Sequence, residues 1–391
     1  MANEVVGLDW MIPFMPYGQE WRLHRRAMHA HLNETAVKNL AGMQERLNAR
    51  FLRKILHAPE DWWESLEWLS GANIVRAMLG VEVADVDDPW AKINADIAQI
   101  VIAVASPGVP WVVDWIPFLR HLPSWLPGMK FKRQAAKWRK EQFRCREVSI
   151  AHVKAEMAAG SAEPSVASKM LAEEDVDEDV VKNVVNVANI GMNLYNSHST
   201  SVFHAMATFP ESQRAAQKEL DDLLHGARLP ELSDRTQLPF VEALVLETMR
   251  MYPVSPLVLP HRVTEDDEYE GMTIPKGAMV IANSWAILND PAVYPEPEAF
   301  RPERFLKDGS LSPLVSEPRN TYFGYGRRIC PGQFFAYNEL WLMAATTLAS
   351  FDILPAKNEA GEDILPPITL CSGLVSSVSK FPCRIVPRAG S

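Results

Sequence analysis

The chain has 391 residues and a formal net charge of −10 at pH 7. Its 47% hydrophobic and 23% charged residues are ordinary for a globular protein and exclude a disordered, collagen-like or coiled-coil chain. The acidic balance argues against a nucleic-acid-binding protein, which would present basic surfaces, and the four cysteines form no C-x-x-C pair of a zinc site.

Helical periodicity dominates the first two-thirds of the chain. It predicts helices near 17–31, 35–56, 62–79, 88–105, 130–159, 178–208, 211–225 and 236–251. After Tyr252, closely spaced prolines break the sequence into short pieces. The pattern there predicts β segments, a last helix and a tail hairpin, at Leu257–Val263, Met279–Ala282, 333–349 and Ile368–Val386. No linker is visible, so the sequence predicts one mainly α-helical domain, residues 1–391, with a small β part.

The most informative stretch is Phe323-Gly-Tyr-Gly326-Arg-Arg328-Ile-Cys330-Pro-Gly332, directly before the last predicted helix. A thiolate at a helix amino terminus is stabilised by the dipole and by backbone N–H groups, and it can serve as the axial ligand of haem iron. In that case Gly326 allows a tight turn and Gly332 a close approach to the porphyrin. Phe323 would then shield the sulfur, and Arg328 would pair with a propionate. A buried structural cysteine in a glycine-rich loop is the competing interpretation.

This spacing resembles F-x-x-G-x-R-x-C-x-G, the haem-binding signature of the cytochrome P450 family. The resemblance extends over about residues 10 to 386. Three further segments look like fungal, microsomal-type members, namely 273–277, 289–295 and 300–305. The resemblance implies the cytochrome P450 fold, haem b with its iron bound by Cys330, and an oxidoreductase that works as a monooxygenase.

A second motif, Glu247-Thr-Met-Arg250, lies on a predicted helix among apolar residues. Positions i and i+3 share a helix face, so the two side chains are expected to pair and to be partly buried. A buried pair needs further partners. Arg304 resembles the third member of the family's Glu-Arg-Arg network, which implies that these three residues hold the haem-side scaffold and do no chemistry.

Two further pairs resemble the family's propionate contacts. Trp21 and Arg25 are four residues apart and therefore lie on one face of a predicted helix. His261 and Arg262 follow a β-like segment. Taken alone, each pair is better explained as a basic surface helix or a strand end, but their order and spacing favour the haem site.

The longest predicted helix departs from the family pattern. Family members carry there an acid and an alcohol that deliver protons during O–O cleavage, which is general acid catalysis. In the matching stretch, Asn193 replaces the acid and Leu194 replaces the alcohol, while Gly191 still allows a local distortion of the helix. Water, Tyr195 or His198 are the candidate substitutes, although His198 is interpreted as a packing residue. Slower O–O cleavage and leakage of peroxide are expected.

The resemblance also implies elements that would precede Met1. Microsomal-type members begin with a membrane anchor, a small helix, the first β-strands and a loop that caps the substrate pocket. The chain is therefore expected to be an amino-terminally truncated form of the fold, with an unpaired edge at Leu257–Val263. Family members reside in the endoplasmic reticulum membrane. The sequence has neither a signal peptide nor about 20 consecutive apolar residues, so a cytoplasmic or peripheral membrane location is expected.

The expected substrate is a small lipophilic molecule, because the segments that resemble the family's pocket are apolar. These segments are 105–127, Asn186–Ser197, Val254–Leu259 and Ser372–Val375. The family implies an NADPH–cytochrome P450 reductase as electron donor, which arginines near Cys330 would attract. Tryptophans beside a basic helix suit a peripheral membrane contact, and a substrate-loop core explains them equally well. No nucleic-acid partner and a monomeric state are expected.

Three functions remain open at this point. The Cys330 motif and the Glu-Arg-Arg set favour a monooxygenase supplied by a reductase. Asn193 and Leu194 motivate a peroxide-driven or non-oxygenating haem-thiolate enzyme, which strict dependence on a reductase would exclude. The expected truncation motivates an inactive, degenerate haem protein.

Overall fold

The computed structural model describes residues 1–106, 111–313, 315–367, 370–371 and 374–388, without the side chains of residues 94, 192, 193, 370 and 371. The side chain of Asn193 and the predicted pocket residue Ser372 therefore lie outside the description. Helices make up 59% of the structure and strands 8%. The prediction of a mainly α fold with a small β part is confirmed.

The helices and strands follow one another along the chain with short connections. The α-helices are α1 Gln19–Leu32, α2 Glu34–Val37, α3 Ala41–His57, α4 Trp62–Leu79, α5 Pro89–Ala105, α6 Val112–Trp115, α7 Lys130–Ala159, α8 Val166–Leu171, α9 Glu178–Ile190, α10 Met192–Thr208, α11 Pro210–Leu224, α12 Pro239–Met251, α13 Ser284–Leu288, α14 Arg319–Tyr322 and α15 Gln333–Ser350. The strands are β1 His261–Arg262, β2 Asp267–Tyr269, β3 Met272–Ile274, β4 Met279–Val280, β5 Leu306–Lys307, β6 Ser310–Leu311, β7 Phe351–Lys357, β8 Asp363–Ile364, β9 Leu370–Cys371, β10 Ser377–Val378 and β11 Cys383–Pro387.

The predicted helix that ends at residue 208 is divided into α9 and α10. The break lies at Gly191, whose N–H donates to the Ala188 carbonyl over 3.0 Å. A Cβ atom at Gly191 would lie only 3.1 Å from that carbonyl oxygen. Glycine therefore suits the break, and the predicted local distortion of this helix is present. The predicted helix at 35–56 is similarly divided into α2 and α3 by a tighter turn at Lys38–Leu40.

Helix α15 lies at the centre of the core. All residues from Leu340 to Ala345 are buried, as expected for a helix that is apolar on every side. It packs against α3, α10, α11 and α12. Because Cys330 lies three residues before α15 begins, this core fixes the position of the cysteine loop.

The β segment predicted at Leu257–Val263 is mostly wrong. Only β1 forms there, paired antiparallel with β4. Val258 has a φ of 51°, which a β-branched residue rarely adopts, and Pro260 cannot donate to a strand ladder. In the described part of the chain no further strand pairs with this ribbon, and Met279 and Val280 are exposed, so the expected unpaired edge is present.

The hairpin predicted over Ile368–Val386 is only partly correct. Strands β9 and β10 do form an antiparallel pair. Strand β11 instead pairs with β7, which also holds β8 on its other edge. The prediction missed β7 because Pro355 lies inside it, and proline is rare within a strand that is paired on both sides. Within the described ranges, no helix has the length and hydropathy that crossing a bilayer requires.

Candidate active site

The Cys330 loop lies between α14 and α15 and is closed by a hydrogen bond. The Cys330 N–H donates to the Phe323 carbonyl over 2.8 Å. Gly326 has a φ of 57°, the left-handed conformation that glycine adopts most easily, as the predicted tight turn requires. Burial raises the pKa of the Cys330 thiol, while the Gly332 N–H and the Arg25 charge oppose that rise. Burial has the largest of these effects, and the Gly332 N–H and Arg25 are the two groups that favour the thiolate form.

Trp21 and Arg25 lie one turn apart on α1, beside this loop. Trp21 is buried, and its Nε1–H has no acceptor among the residues that the structure describes. Arg25 is half-buried and forms no ion pair with any described residue. Burial lowers the pKa of Arg25 and the Cys330 thiolate raises it, so the guanidinium lies near the sulfur. A buried N–H donor next to an unpaired cation favours an anionic oxygen ligand.

Arg328 joins the cysteine loop to the segment before α1. Its Nη1 and Nη2 atoms donate to the carbonyls of Ile12 and Met15, over 3.0 Å and 2.9 Å. The guanidinium also lies over the Trp21 ring, 4.6 Å from the centroid. The structure therefore places Arg328 against Trp21 and uses it to hold the amino-terminal segment, and its pairing with a propionate stays a prediction.

Glu247, Arg250 and Arg304 form a buried ion-pair network. Arg250 Nε and Nη2 donate to the two Glu247 carboxylate oxygens over 2.8 Å and 3.0 Å, and Arg304 Nε donates over 3.1 Å. Arg250 also donates to the carbonyls of Leu288 and Pro297, over 3.1 Å and 2.7 Å. The network thus attaches the proline-rich segment before the cysteine loop to α12.

His261 and Arg262 are placed less favourably for the predicted role. They form β1, where His261 is half-buried and Arg262 is exposed. The Arg262 guanidinium lies beside Gly277, where an added Cβ would approach Nη2 to 3.8 Å. The described residues show no hydrogen bond between this pair and Trp21 or Arg25. The propionate role of His261 and Arg262 stays a prediction.

The two candidate proton donors on α10, Tyr195 and His198, are buried and form hydrogen bonds within the protein. Leu194 is 38% exposed and offers no polar atom. The buried Tyr195 hydroxyl donates to Glu339 Oε1 over 3.3 Å. His198 is fully buried, and its Nδ1 atom lies 3.0 Å from the Tyr322 hydroxyl. The hydrogen bonds of Tyr195 and His198 thus go to Glu339 and Tyr322, and the replacement of the family's alcohol at Leu194 stays a prediction.

A family model for cytochrome P450 matches residues 11–377. The chain belongs to the cytochrome P450 family. It is 36% identical to cytochrome P450 monooxygenase COX2 of Coprinopsis cinerea, over 100% of this chain and 76% of that protein. It is 37% identical to tryptamine 4-monooxygenase of Psilocybe cyanescens, over 99% of this chain and 78% of that protein.

The fold agrees with a solved cytochrome P450. A zebrafish cytochrome P450 structure with progesterone superimposes with a TM-score of 0.77 at 23% identity, covering 99% of this chain and 87% of that one. The expected fold class is thereby confirmed. The fungal relatives are named monooxygenases, and the expected enzyme class, an oxidoreductase that incorporates oxygen, is that of this P450 family.

The family's cofactor is haem with a cysteine thiolate as axial ligand, and the donors of this chain fit it. Cys330 is the only cysteine of the motif, and the Gly332 N–H and the Arg25 charge favour its thiolate form against the larger, opposing effect of burial. The unsatisfied Trp21 Nε1–H and the unpaired Arg25 are suited to a propionate. These groups lie together at the amino end of α15, as a single bound cofactor would need.

A buried polar cluster around Glu339 was not predicted. Glu339 lies on α15, and its Oε1 atom accepts from Asn48 Nδ2 over 2.7 Å and from the Tyr195 hydroxyl. Gln44 and Asn73 lie beside it. Burial raises the pKa of Glu339 to about 8, against the opposing effect of these polar neighbours. The sequence did contain a signal for this cluster, namely the isolated Glu339 in an apolar helix, nine residues after Cys330.

The loop before α7 exposes large apolar side chains. Trp115 and Trp125 are 77% and 76% exposed, and Phe118 is 66% exposed. Lys132 and Arg133 brace the loop by donating to its backbone carbonyls. Of the three tryptophans that the substrate-loop interpretation covered, Trp115 and Trp125 contradict it because a core would bury them, whereas Trp111 is half-buried.

Proposed function

We propose that this chain is a haem-thiolate monooxygenase that inserts one oxygen atom from O2 into a small lipophilic substrate. One observation carries the proposal: Cys330 lies at the amino end of α15, near an unsatisfied Trp21 N–H and an Arg25 guanidinium that forms no ion pair with a described residue. That combination suits one ligand which offers a metal to the sulfur and a carboxylate to the cation. The names of the fungal relatives support the same reaction class.

Each residue of the site has a defined part in the proposal. Haem, when bound, supplies the oxygen chemistry, and Cys330 Sγ holds its iron. Trp21 Nε1–H and Arg25 bind a propionate by charge-assisted hydrogen bonds. By resemblance to the family motif, Phe323 covers the sulfur and excludes water. Arg328 positions Trp21 by stacking on its indole ring.

The substrate and the electron donor follow from what surrounds this site. Leu194, Leu257 and Leu259 expose apolar side chains, which favours a lipophilic substrate. The surface next to the cysteine loop carries exposed arginines, at Arg22 and Arg327 among others. Such a surface attracts an acidic partner, and an NADPH–cytochrome P450 reductase is the donor that we propose.

A second candidate function is a peroxide-driven haem-thiolate enzyme. The observation in its favour is the α10 side of the site, where Leu194 is apolar and the hydroxyl of Tyr195 is bound to Glu339. Reduction of O2 to the oxidising state consumes protons that a general acid normally supplies. Hydrogen peroxide already carries those protons, so an enzyme that uses it as the oxidant does not have to supply them.

The test compares the two oxidants on haem-loaded protein. The reduced protein with carbon monoxide is expected to show the red-shifted absorption band of thiolate ligation, and Cys330→Ser is expected to lose it because serine offers no thiolate. A fluorogenic alkoxycoumarin ether serves as the lipophilic probe. Wild type is expected to dealkylate it faster with reductase, NADPH and O2 than with hydrogen peroxide.

The controls separate the alternatives. Cys145→Ser changes a buried cysteine outside the motif and is expected to keep the thiolate band. Turnover with hydrogen peroxide alone, and none with reductase, would replace the proposal by the second candidate. A wild-type protein without a thiolate band would contradict both candidate functions. The inactive, degenerate haem protein would then be the remaining interpretation.

We also propose that the aromatic loop at residues 111–127 contacts a membrane surface. Its tryptophans Trp115 and Trp125 are exposed, and the loop leads into α7, whose Lys130, Lys137 and Lys140 are exposed as well. Aromatic rings beside cations suit the lipid headgroup region. Wild type is expected to co-sediment with vesicles that contain an anionic phospholipid.

The variant W115S/W125S is expected to bind those vesicles at least about a hundredfold more weakly, because burial of each large apolar side chain contributes about 1.5–3 kcal/mol and every 1.4 kcal/mol is tenfold. The matched control is Trp285→Ser, which removes a tryptophan that is 52% exposed elsewhere on the surface. Equal losses of binding for W115S/W125S and Trp285→Ser would contradict a contact through the loop.

A further inference from the structure

Gln142 on α7 binds the segment at residues 6–17, the amino-terminal strap. Its Nε2 atom donates to the carbonyls of Val6 and Gly7 over 2.5 Å and 3.0 Å. Its Oε1 atom accepts from Trp10 Nε1 over 2.6 Å. The Gln142 side chain is fully buried. Both polar atoms of this buried amide are therefore used to hold one segment, more than 130 residues away along the chain.

Burial keeps water away from these three hydrogen bonds. The strap forms one apolar cluster with α5 and α7, whose buried members are Val6, Leu8, Trp10, Met11, Ile100, Val101, Val104 and Ala135. The Arg146 guanidinium covers the Trp10 ring, 5.6 Å from its centroid. A buried polar group that loses its partner costs stability. A strap without Gln142 must therefore shift until water reaches the groups that this side chain now satisfies.

Directly after the residues bound to α7, the strap forms a tight turn that meets the cysteine loop. The Met11 carbonyl accepts the N–H groups of Phe14 and Met15, over 2.8 Å and 3.0 Å. Arg328 donates to the carbonyls of Ile12 and Met15, over 3.0 Å and 2.9 Å. A short hydrogen-bonded turn transmits a displacement that a flexible linker would absorb. The strap thus connects α7 to the cysteine loop by hydrogen bonds at both ends.

We propose that Gln142 is a positioning residue for haem retention. By fixing the strap on α7, it keeps the carbonyls of Ile12 and Met15 where Arg328 binds them, and so keeps the Arg328 guanidinium 4.6 Å from the centroid of the Trp21 ring. The inference rests on the proposed function, in which the Trp21 Nε1–H binds a propionate. Release of the strap removes both acceptors of Arg328, and the indole ring then loses its support.

The experiment measures the rate at which haem-loaded protein loses haem to an excess of apomyoglobin. Gln142→Leu is expected to lose haem on the order of tenfold faster, the effect of about one net hydrogen bond. Trp10→Phe removes one donor and keeps an aromatic ring, so a smaller acceleration is expected. The matched control is Gln213→Leu on α11, a buried glutamine whose amide binds the Ile353 carbonyl and N–H over 2.9 Å and 2.8 Å. It is expected to keep the wild-type rate within about twofold.

A double-mutant cycle with Arg328→Met tests the route. If Gln142 acts through Arg328, Q142L/R328M is expected to lose haem no faster than R328M alone. A rate that multiplies the two single effects would show separate routes, and the proposal would be wrong. Equal acceleration by Q142L and Q213L would overturn it as well, because both would then report a general loss of stability.

Amide hydrogen exchange of the same proteins gives a measurement that does not depend on haem loss. Q142L is expected to raise exchange at residues 5–11 and also at residues 12–15, where the strap meets the cysteine loop, whereas Q213L is expected to change neither. Faster exchange confined to residues 5–11 would show that the turn does not transmit the release, which overturns the proposal. A wild type that lacks a thiolate band but shows the expected exchange would contradict the proposed function alone.

Discussion

Arg250→Met is expected to lower the free energy of unfolding by about 3–5 kcal/mol. Arg250 and Glu247 are both fully buried. The substitution would leave the Glu247 carboxylate in the core with one fewer cationic partner. It would also remove the donor to the carbonyls of Leu288 and Pro297. Urea unfolding followed by tryptophan fluorescence measures the change.

Two variants test the cause of that loss. E247L/R250M is expected to be more stable than Arg250→Met alone, because apolar replacement of both partners leaves no unpaired carboxylate. Lys218→Met breaks an exposed pair with Asp222 at i, i+4 and is expected to cost less than about 0.5 kcal/mol. An Arg250→Met protein as stable as Lys218→Met would show that the buried network does not hold the fold together.

The sequence allowed those parts of the site to be predicted that depend on spacing along one element. Trp21 and Arg25 share a face because they are one helical turn apart, and Glu247 and Arg250 pair for the same reason. The cysteine motif is equally local, since its turn and its closing hydrogen bond lie within eight residues. These predictions required no knowledge of how the helices pack.

The contacts between distant segments could not be predicted in this way. Arg328 donates to Ile12 and Met15, more than 310 residues away along the chain. His198 meets Tyr322 across 124 residues. Nothing in the local pattern of either segment specifies its partner, because each side chain is also compatible with a solvated or a packed position.

The errors in the β part have a related cause. Apolar residues around Val258 have strand propensity, yet a strand needs a neighbouring strand to satisfy its backbone. The left-handed φ of Val258 places it against Gly324 of the cysteine loop, where an added Cβ would approach Val258 Cγ1 to 3.7 Å. Tertiary packing at the site therefore overrides the local preference of this segment.

Glu339→Gln is expected to remove most of a pH dependence of stability that wild type shows between about pH 5 and pH 9. Burial raises the pKa of Glu339 to about 8 in the folded chain, from 4.5 in an exposed glutamate. The folded state therefore holds a proton that the unfolded state releases above pH 4.5. Stability from this group is fully present below pH 4.5 and is lost as the pH rises through 8.

The free energy of unfolding is expected to change by on the order of 4 kcal/mol between about pH 5 and pH 9, since each unit of pKa difference corresponds to about 1.36 kcal/mol. Urea midpoints at several pH values measure it. Glutamine retains a carbonyl oxygen that can accept from Asn48 Nδ2, so the cluster keeps its geometry while losing its titration. Glu303→Gln, at an exposed position, is the matched control and is expected to leave the wild-type slope unchanged.

The neutral form of Glu339 also accounts for hydrogen bonding in the cluster. The Oε2 atom and the amide oxygens of Gln44, Asn48 and Asn73 are buried without donors among the described residues. An ionised Glu339 carboxylate adds one more acceptor to this set of oxygens. A protonated carboxyl group supplies the O–H donor that the set lacks. Equal pH slopes for wild type and Glu339→Gln would show that Glu339 is ionised in the folded protein, and a donor from elsewhere, such as buried water, would then be required.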